Sequence, residues 1–392
     1  MIKTLVFHIG DPKNGSSSIQ RALFDRRWRC DQVRIAPQHE LNASGLANTL
    51  LKDNRPERRR KLFRLKQDWA RHEDADIGVI SAEFFAKARP HLLQLCVHEY
   101  LPEHADGVLV LASVRPHAAW VASAYGTRVK TGGTLTTLSD FAAQISQRPF
   151  LDYYPRFARW KSVFGSRFTL RPFVPAKLHQ GDVVADFFHQ ILEGAPFALQ
   201  EAPTSANSSL SVEEITAMRV IQETWVRLEV PKPLRLALGG ALGRTLEGLP
   251  EGCTRSKLRL DQASAGALRT RFIKDARALD NAFFGKPLME AALDGAVESA
   301  LPEPQSLEAE AYFTAAQLVE MQEAAAALVP PLRADPQAWR NDYRFRKAPG
   351  SKYGKAAAGI RQRQHIDDVW AQLNRLAGLM GRVQSEDKKV IT

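Results

Sequence analysis

The chain has 392 residues, 44% of them hydrophobic and 25% charged. That is the composition of one large globular domain or of two, and it excludes a disordered or fibrous chain. The formal charge of +11, with a sequence pI near 9.6, favours anionic partners. Cys30, Cys96 and Cys253 are far apart and odd in number, which excludes a disulfide framework and a cysteine metal site. No apolar run is long enough to span a membrane and no apolar signal core precedes the first strand, so a cytoplasmic location is expected.

The first predicted strand is Leu5–Ile9. It leads into His8-Ile9-Gly10-Asp11-Pro12-Lys13-Asn14-Gly15-Ser16-Ser17-Ser18, after which Ile19, Ala22, Leu23 and Trp28 mark one face of a helix. Further strands are predicted at Gln32–Ala36, Ile77–Ser81, Val108–Val114 and Phe168–Phe173, with helices at Ala118–Val129 and Val183–Leu192. Several strands are continuous apolar runs, as in a parallel sheet buried on both faces. The expected fold class is therefore α/β, an open parallel sheet with helices on both sides.

Beyond residue 200 the strand signals stop. A polar loop at 205–209 precedes Ser211, the expected N-cap of a helix. Helices are predicted at Ile215–Leu228, Ser264–Leu279 and Leu288–Ala300, then a proline-bearing linker at Ala300–Ser306, then helices at Ala311–Leu328 and Ile366–Met380. The expected organisation is an α/β core over 1–200, a helical continuation over 201–300 and a basic helical extension over 301–392. Basic clusters lie at Arg55–Lys66 and Arg340–Arg363; each reads either as a solvated face or as an anion-binding surface.

A strand, a glycine-bearing loop and a helix start aim backbone N–H groups at one spot, where the helix dipole adds positive potential. Gly10 and Gly15 permit the path, Ser16, Ser17 and Ser18 offer hydroxyls, and Lys13 can neutralise a leaving group. Asn14 lies between Lys13 and Gly15. A second arrangement of this kind follows Val108–Val114: Arg115 stands at the strand end, where open α/β sheets bind ligands, and Ser123 follows eight residues later.

Pro12-Lys13-Asn14-Gly15-Ser16-Ser17, the Arg115–Ser123 pair and the Trp160-to-Gly165 segment together resemble the sulfotransferases that use 3′-phosphoadenosine 5′-phosphosulfate (PAPS). The resemblance covers roughly the first two hundred residues. It implies a three-layer, P-loop NTPase-like sheet, to which the helical C-terminal extension read above is added. It also implies PAPS as donor, adenosine 3′,5′-bisphosphate (PAP) as product, no metal, Lys13 as a catalytic residue, the loop on the 5′-phosphosulfate, and Arg115 and Ser123 on the 3′-phosphate. Asn14, Ser16, Ser17 and the adjacent Arg115-Pro116 depart from the family's usual residues.

The general base is expected to be Glu83, which follows the strand Ile77–Ser81; His8 is the alternative, and His39 and Glu40 lie in a loop that could reach an acceptor. Arg128 and Lys130 read as a helix end or as anion contacts, and Lys257 and Arg259 as a late basic stretch. The acceptor expected is a hydroxyl or amine, on an acidic glycan, a lipid or a small metabolite, with peripheral membrane contact or self-association through the C-terminal helices. A P-loop kinase is disfavoured by Ser16 standing where its lysine belongs and by a second strand without a terminal aspartate. A catalytically degenerate PAP-binding protein is the other alternative. Nucleic-acid binding has no recognition motif behind it.

Overall fold

The computed structural model describes residues 2–72, 74–200, 210–247, 256–347 and 363–381. The polar loop at 205–209, Cys253 and residues 348–362 of the second basic cluster lie outside them. Two compact units interleave along the chain. One comprises 1–120, 148–204 and 270–295; the other comprises 121–147, 205–269 and 296–392.

The first unit holds an α/β sheet. Its elements begin with β1 (Thr4–Gly10), α1 (Ser16–Asp25), β2 (Trp28–Arg29), α2 (Ser44–Leu51), α3 (Arg55–Trp69) and β3 (Ile77–Ser81). After β3 come α4 (Pro90–Tyr100) and β4 (Val108–Val114). Helix α5 (His117–Lys130) runs from the first unit into the second, where α6 (Leu138–Ser146) follows. The chain returns with α7 (Tyr153–Phe164), β5 (Phe168–Pro172), α8 (Val183–Ile191) and β6 (Ala198–Leu199). The main sheet has four parallel strands in the order β3-β1-β4-β5, and β2 pairs with β6 in a small antiparallel ribbon.

Alternation explains how the sheet is covered. Val6, Val79 and Leu111 face Ile19 and Leu23 of α1 and Phe187, Phe188 and Ile191 of α8 in one buried cluster. The opposite face meets aromatics: Phe7 stands edge-on to Phe85 at 5.5 Å, and Phe168 packs against Phe157 and Trp160. Both faces are thus shielded, which a parallel sheet of continuous apolar strands requires.

The predicted strand Gln32–Ala36 does not form. Only Ile35 bridges to Ile77, with Ala36 N–H donating to the Ile77 carbonyl. Gln32 and Arg34 are exposed, Ile35 and Ala36 are buried, and Pro37 removes the next donor, so the segment caps the β3 edge without extending the sheet.

The second unit is helical: α9 (Val212–Arg227), α10 (Lys232–Glu247), the first part of α11 (Gln262–Leu279), then, after the rest of α11 and most of α12 (Leu288–Glu298) have passed through the first unit, α13 (Ala315–Ala327), α14 (Val329–Ala334), α15 (Pro336–Lys347) and α16 (Gln364–Met380). Ser211 caps α9 with Glu214 in a reciprocal capping box, as its spacing predicts. Buried Trp225 donates to the Ala325 carbonyl and ties α9 to α13. Among the described residues no helix is long and apolar enough to cross a membrane.

Candidate functional site

Strand order locates the site. The chain leaves β1 towards β3 on one side and leaves β4 towards β5 on the other. The carboxyl ends of these adjacent strands therefore form a topological switch point, where open α/β sheets bind ligands. Lys13 follows one tip and Arg115 follows the other.

The loop after β1 is held to β4 by its own groups. Asp11 N–H donates to the Ser113 carbonyl at 2.9 Å, and the Asn14 amide also donates there. Trp120 Nε1 donates to the Pro12 carbonyl at 3.0 Å, and Ser16 Oγ donates to the Asp11 carbonyl at 3.3 Å. The buried Asp11 carboxylate accepts two bonds from Arg156, at 2.7 and 2.5 Å, and the Arg156 guanidinium lies over the rings of Phe150 and Phe157. Burial holds the Asp11 carboxyl above the usual carboxylate range, although Arg156 pulls it down. Asn14 and Ser16 are thus buried staples of the loop, and what they can offer a ligand is backbone.

That backbone is what the loop presents. Gly15 caps α1 at φ 73° with no side-chain cap, and a Cβ there would come within 2.6 Å of Val183 Cγ1. Among the described residues, no acceptor is recorded for the N–H groups of Asn14, Gly15, Ser16 and Ser17. Four adjacent donors at a helix N-terminus make a strong anion cradle. Lys13 sits within it, half-buried and at φ 73°, a left-handed conformation uncommon for a non-glycine residue. Ser17 is exposed and Ser18 half-buried.

The β4 tip offers a different donor. Arg115 is half-buried, with its guanidinium 4.4 Å from the Phe173 ring centre. Burial lowers its pKa, and no carboxylate offsets that among the described residues. A desolvated guanidinium without an acid partner favours an anion beside it. Ser123 lies beyond the point where α5 enters the second unit; it is half-buried, and its carbonyl accepts from Thr127 Oγ1 at 3.1 Å.

Glu83 opens a short 3₁₀ turn (Glu83–Lys87) directly after β3. It stands beside the loop: a Cβ on Gly10, which has φ +94°, would lie 3.0 Å from Glu83 Cα. His8 is elsewhere. It is buried on the α1 side of β1, its Nδ1 shares a 2.8 Å hydrogen bond with Ser81 Oγ, and Gln20 donates to that same oxygen. Burial lowers its pKa to about 4, so at neutral pH it is an uncharged core imidazole.

His39 and Glu40 line a cavity of about 270 Å³ with Gln38, Asn42, Lys61 and Arg64, over a floor that includes Leu46, Trp69 and Ile80. Ala43, which also lines this cavity, donates its N–H to the Ser81 carbonyl at 2.8 Å, two residues before Glu83 in the chain. Arg128 and Lys130 sit at a helix end closed by Gly132 and Gly133, whose N–H groups bond back to Val129 and Arg128. The backbones of Lys257 and Arg259 are bonded to Gln305 in the second unit.

The Asp11–Arg156 pair carried no local sequence signal, because its partners are 145 positions apart. A charged residue set among the aromatics of Tyr153–Trp160 was the one available clue. Among the described residues no cluster of His, Cys, Asp and Glu could hold a metal ion. No family model, curated protein or solved structure matches the chain.

Proposed function

We propose that the chain is a sulfotransferase that takes a sulfuryl group from PAPS, on a P-loop NTPase-like sheet. One observation carries the reading: adjacent strand tips present two hydrogen-bond-donor positions, the amide cradle at the start of α1 and the guanidinium of Arg115. A nucleotide with anionic groups at two separated points suits that pair better than a single phosphate does. The donor set also fits the group, since backbone amides, one lysine and one arginine are all hydrogen-bond donors.

In this reading the amides of Asn14 to Ser17 and the hydroxyls of Ser17 and Ser18 hold the 5′ end, and Arg115 holds the 3′-phosphate. Bound PAPS supplies an activated sulfuryl group on a phosphate leaving group. Lys13 places its charge where the leaving oxygen gains charge. Glu83 accepts the proton of the acceptor hydroxyl or amine. The cavity lined by His39, Glu40 and Arg64 is where we place the acceptor, its polar rim matched to hydroxyls and to an acidic group. Ser123 is retained as a proposed partner of the 3′-phosphate, to be tested by substitution.

Calorimetric titration with PAP tests the donor site directly. Saturable binding that Arg115→Ala weakens is the expected result, and labelled PAPS should transfer to an acceptor with the wild-type protein and not with Lys13→Ala. Absence of PAP binding, or magnesium-dependent ATP turnover in its place, overturns the proposal. PAP binding of ordinary strength without transfer to any acceptor in a broad screen would make the chain a binding protein.

A further inference from the structure

Helix α3 has two unlike sides. Arg58, Leu62 and Trp69 are buried against the first unit. Asn54 caps its start and Pro56 opens it, so the helix forms although its sequence is strongly polar. The outer side is exposed. Arg55, Arg59 and Phe63 are spaced four apart and form one row, with Arg60, Arg64 and Gln67 beside it. Phe63 is 60% exposed, and the preceding turn adds Leu51, 40% exposed, and Lys52.

The charges on this face are only partly answered. Glu57 pairs with Arg60 and Lys61, and Asp53 with Arg55 and Arg58. Among the described residues no acid partner is recorded for Arg59, Arg64 or Lys52. A large apolar side chain therefore stands out of a cationic surface. Single-stranded nucleic acid is held by a series of stacking rings, and the exposed row of α3 offers one, Phe63. A second copy laid face to face would set arginines against arginines. A flat anionic layer with an apolar interior meets both features, since arginines reach phosphates while an aromatic enters the acyl boundary.

We propose that the outer face of α3, with Leu51 and Lys52, docks the protein on an anionic lipid bilayer. The proposal is independent of the sulfuryl-transfer reading. Sedimentation of the full chain with phosphatidylcholine vesicles, with and without phosphatidylserine, tests it. Binding is expected only to the anionic vesicles and should weaken as salt rises. Lys52→Gln with Arg59→Gln should lower partitioning about 25-fold, roughly fivefold per cation. Phe63→Ser should lower it about tenfold by removing the inserted ring. All three positions are exposed, so unchanged thermal midpoints are expected to show that the variants fold; Arg55→Gln is the substitute should one of them not. Equal binding to neutral vesicles, or indifference to both sets of substitutions, overturns the proposal. So does tighter binding to a mixed-sequence oligonucleotide than to the anionic vesicles at the same salt.

Discussion

The tips of β1 and β4 are neighbours in one sheet and present hydrogen-bond donors by opposite means. At β1 the side chains of Asp11, Asn14 and Ser16 turn inward and hold the loop, leaving backbone N–H groups outward. At β4 a single side chain, Arg115, carries the charge, backed by Phe173. A cradle of amides is spread over several residues and tolerates change in any one side chain, Lys13 aside. A lone guanidinium does not. The difference separates the two substitutions: one should act on rate, the other on affinity.

The largest effect is expected at Lys13. If its ammonium meets charge that develops only during transfer, Lys13→Ala should slow transfer by about 10²–10³-fold and change PAP affinity much less. A parallel loss of affinity and rate would place Lys13 with Arg115 and erase the contrast. Next comes the seat of the β1 tip. His8 is buried, with its pKa lowered to about 4 from 6.5. Between those values the unfolded chain binds a proton that the folded chain does not. Stability is therefore fully present above pH 6.5 and is lost as pH falls towards 4, by up to about 3 kcal/mol. Denaturant melts at pH 7 and pH 4.5 should show that loss, and His8→Gln should remove most of this contribution. The β4 residue paired with His8 is Leu111, which brings no such dependence to its own tip.

Much of the α/β unit was legible because its strands are continuous apolar runs. Thr4–Gly10, Ile77–Ser81, Val108–Val114 and Phe168–Pro172 depart from the predicted bounds by at most a residue at either end. Gln32–Ala36 misled because a short apolar pair, Ile35 and Ala36, can be buried by capping an edge as well as by joining a sheet. In the helical unit α10 escaped notice, since Gly239, Gly240 and Gly243 look like loop residues, and α14 and α15 were hidden by prolines that in fact sit in their first turns. At the site, the loop and Arg115 were readable from local order along the chain. The direction in which Asn14 and Ser16 point was not, because their partners, the carbonyls of Ser113 and Asp11, are fixed only once β4 is laid beside β1.

Arg115→Ala should weaken PAP binding by about 10–100-fold, the range expected when charge-assisted hydrogen bonds to one phosphate are removed. Arg115→Lys should restore part of this and not all, because an ammonium cannot reproduce the planar fork or its stacking on Phe173. Titration of both variants with adenosine 5′-monophosphate, which lacks the 3′-phosphate, sharpens the assignment: its affinity should be nearly the same in wild type and in Arg115→Ala. An equal loss for both nucleotides would mean that Arg115 supports the whole fold of the site and holds no particular phosphate.

The smallest expected effect falls on the staples. Asn14→Ala leaves the Ser113 carbonyl with one donor, Asp11 N–H, and opens a small gap in a buried position. The cost should be about 1–3 kcal/mol of stability. PAP affinity should change only a few-fold, since the Asn14 N–H is kept and the loop is still tied through Asp11, Trp120 and Arg156. Chemical denaturation alongside calorimetry separates the two. If Asn14→Ala lost affinity as Arg115→Ala does while keeping its stability, the amide side chain would be a ligand contact. The β1 tip would then be built like the β4 tip, from side chains facing the guest.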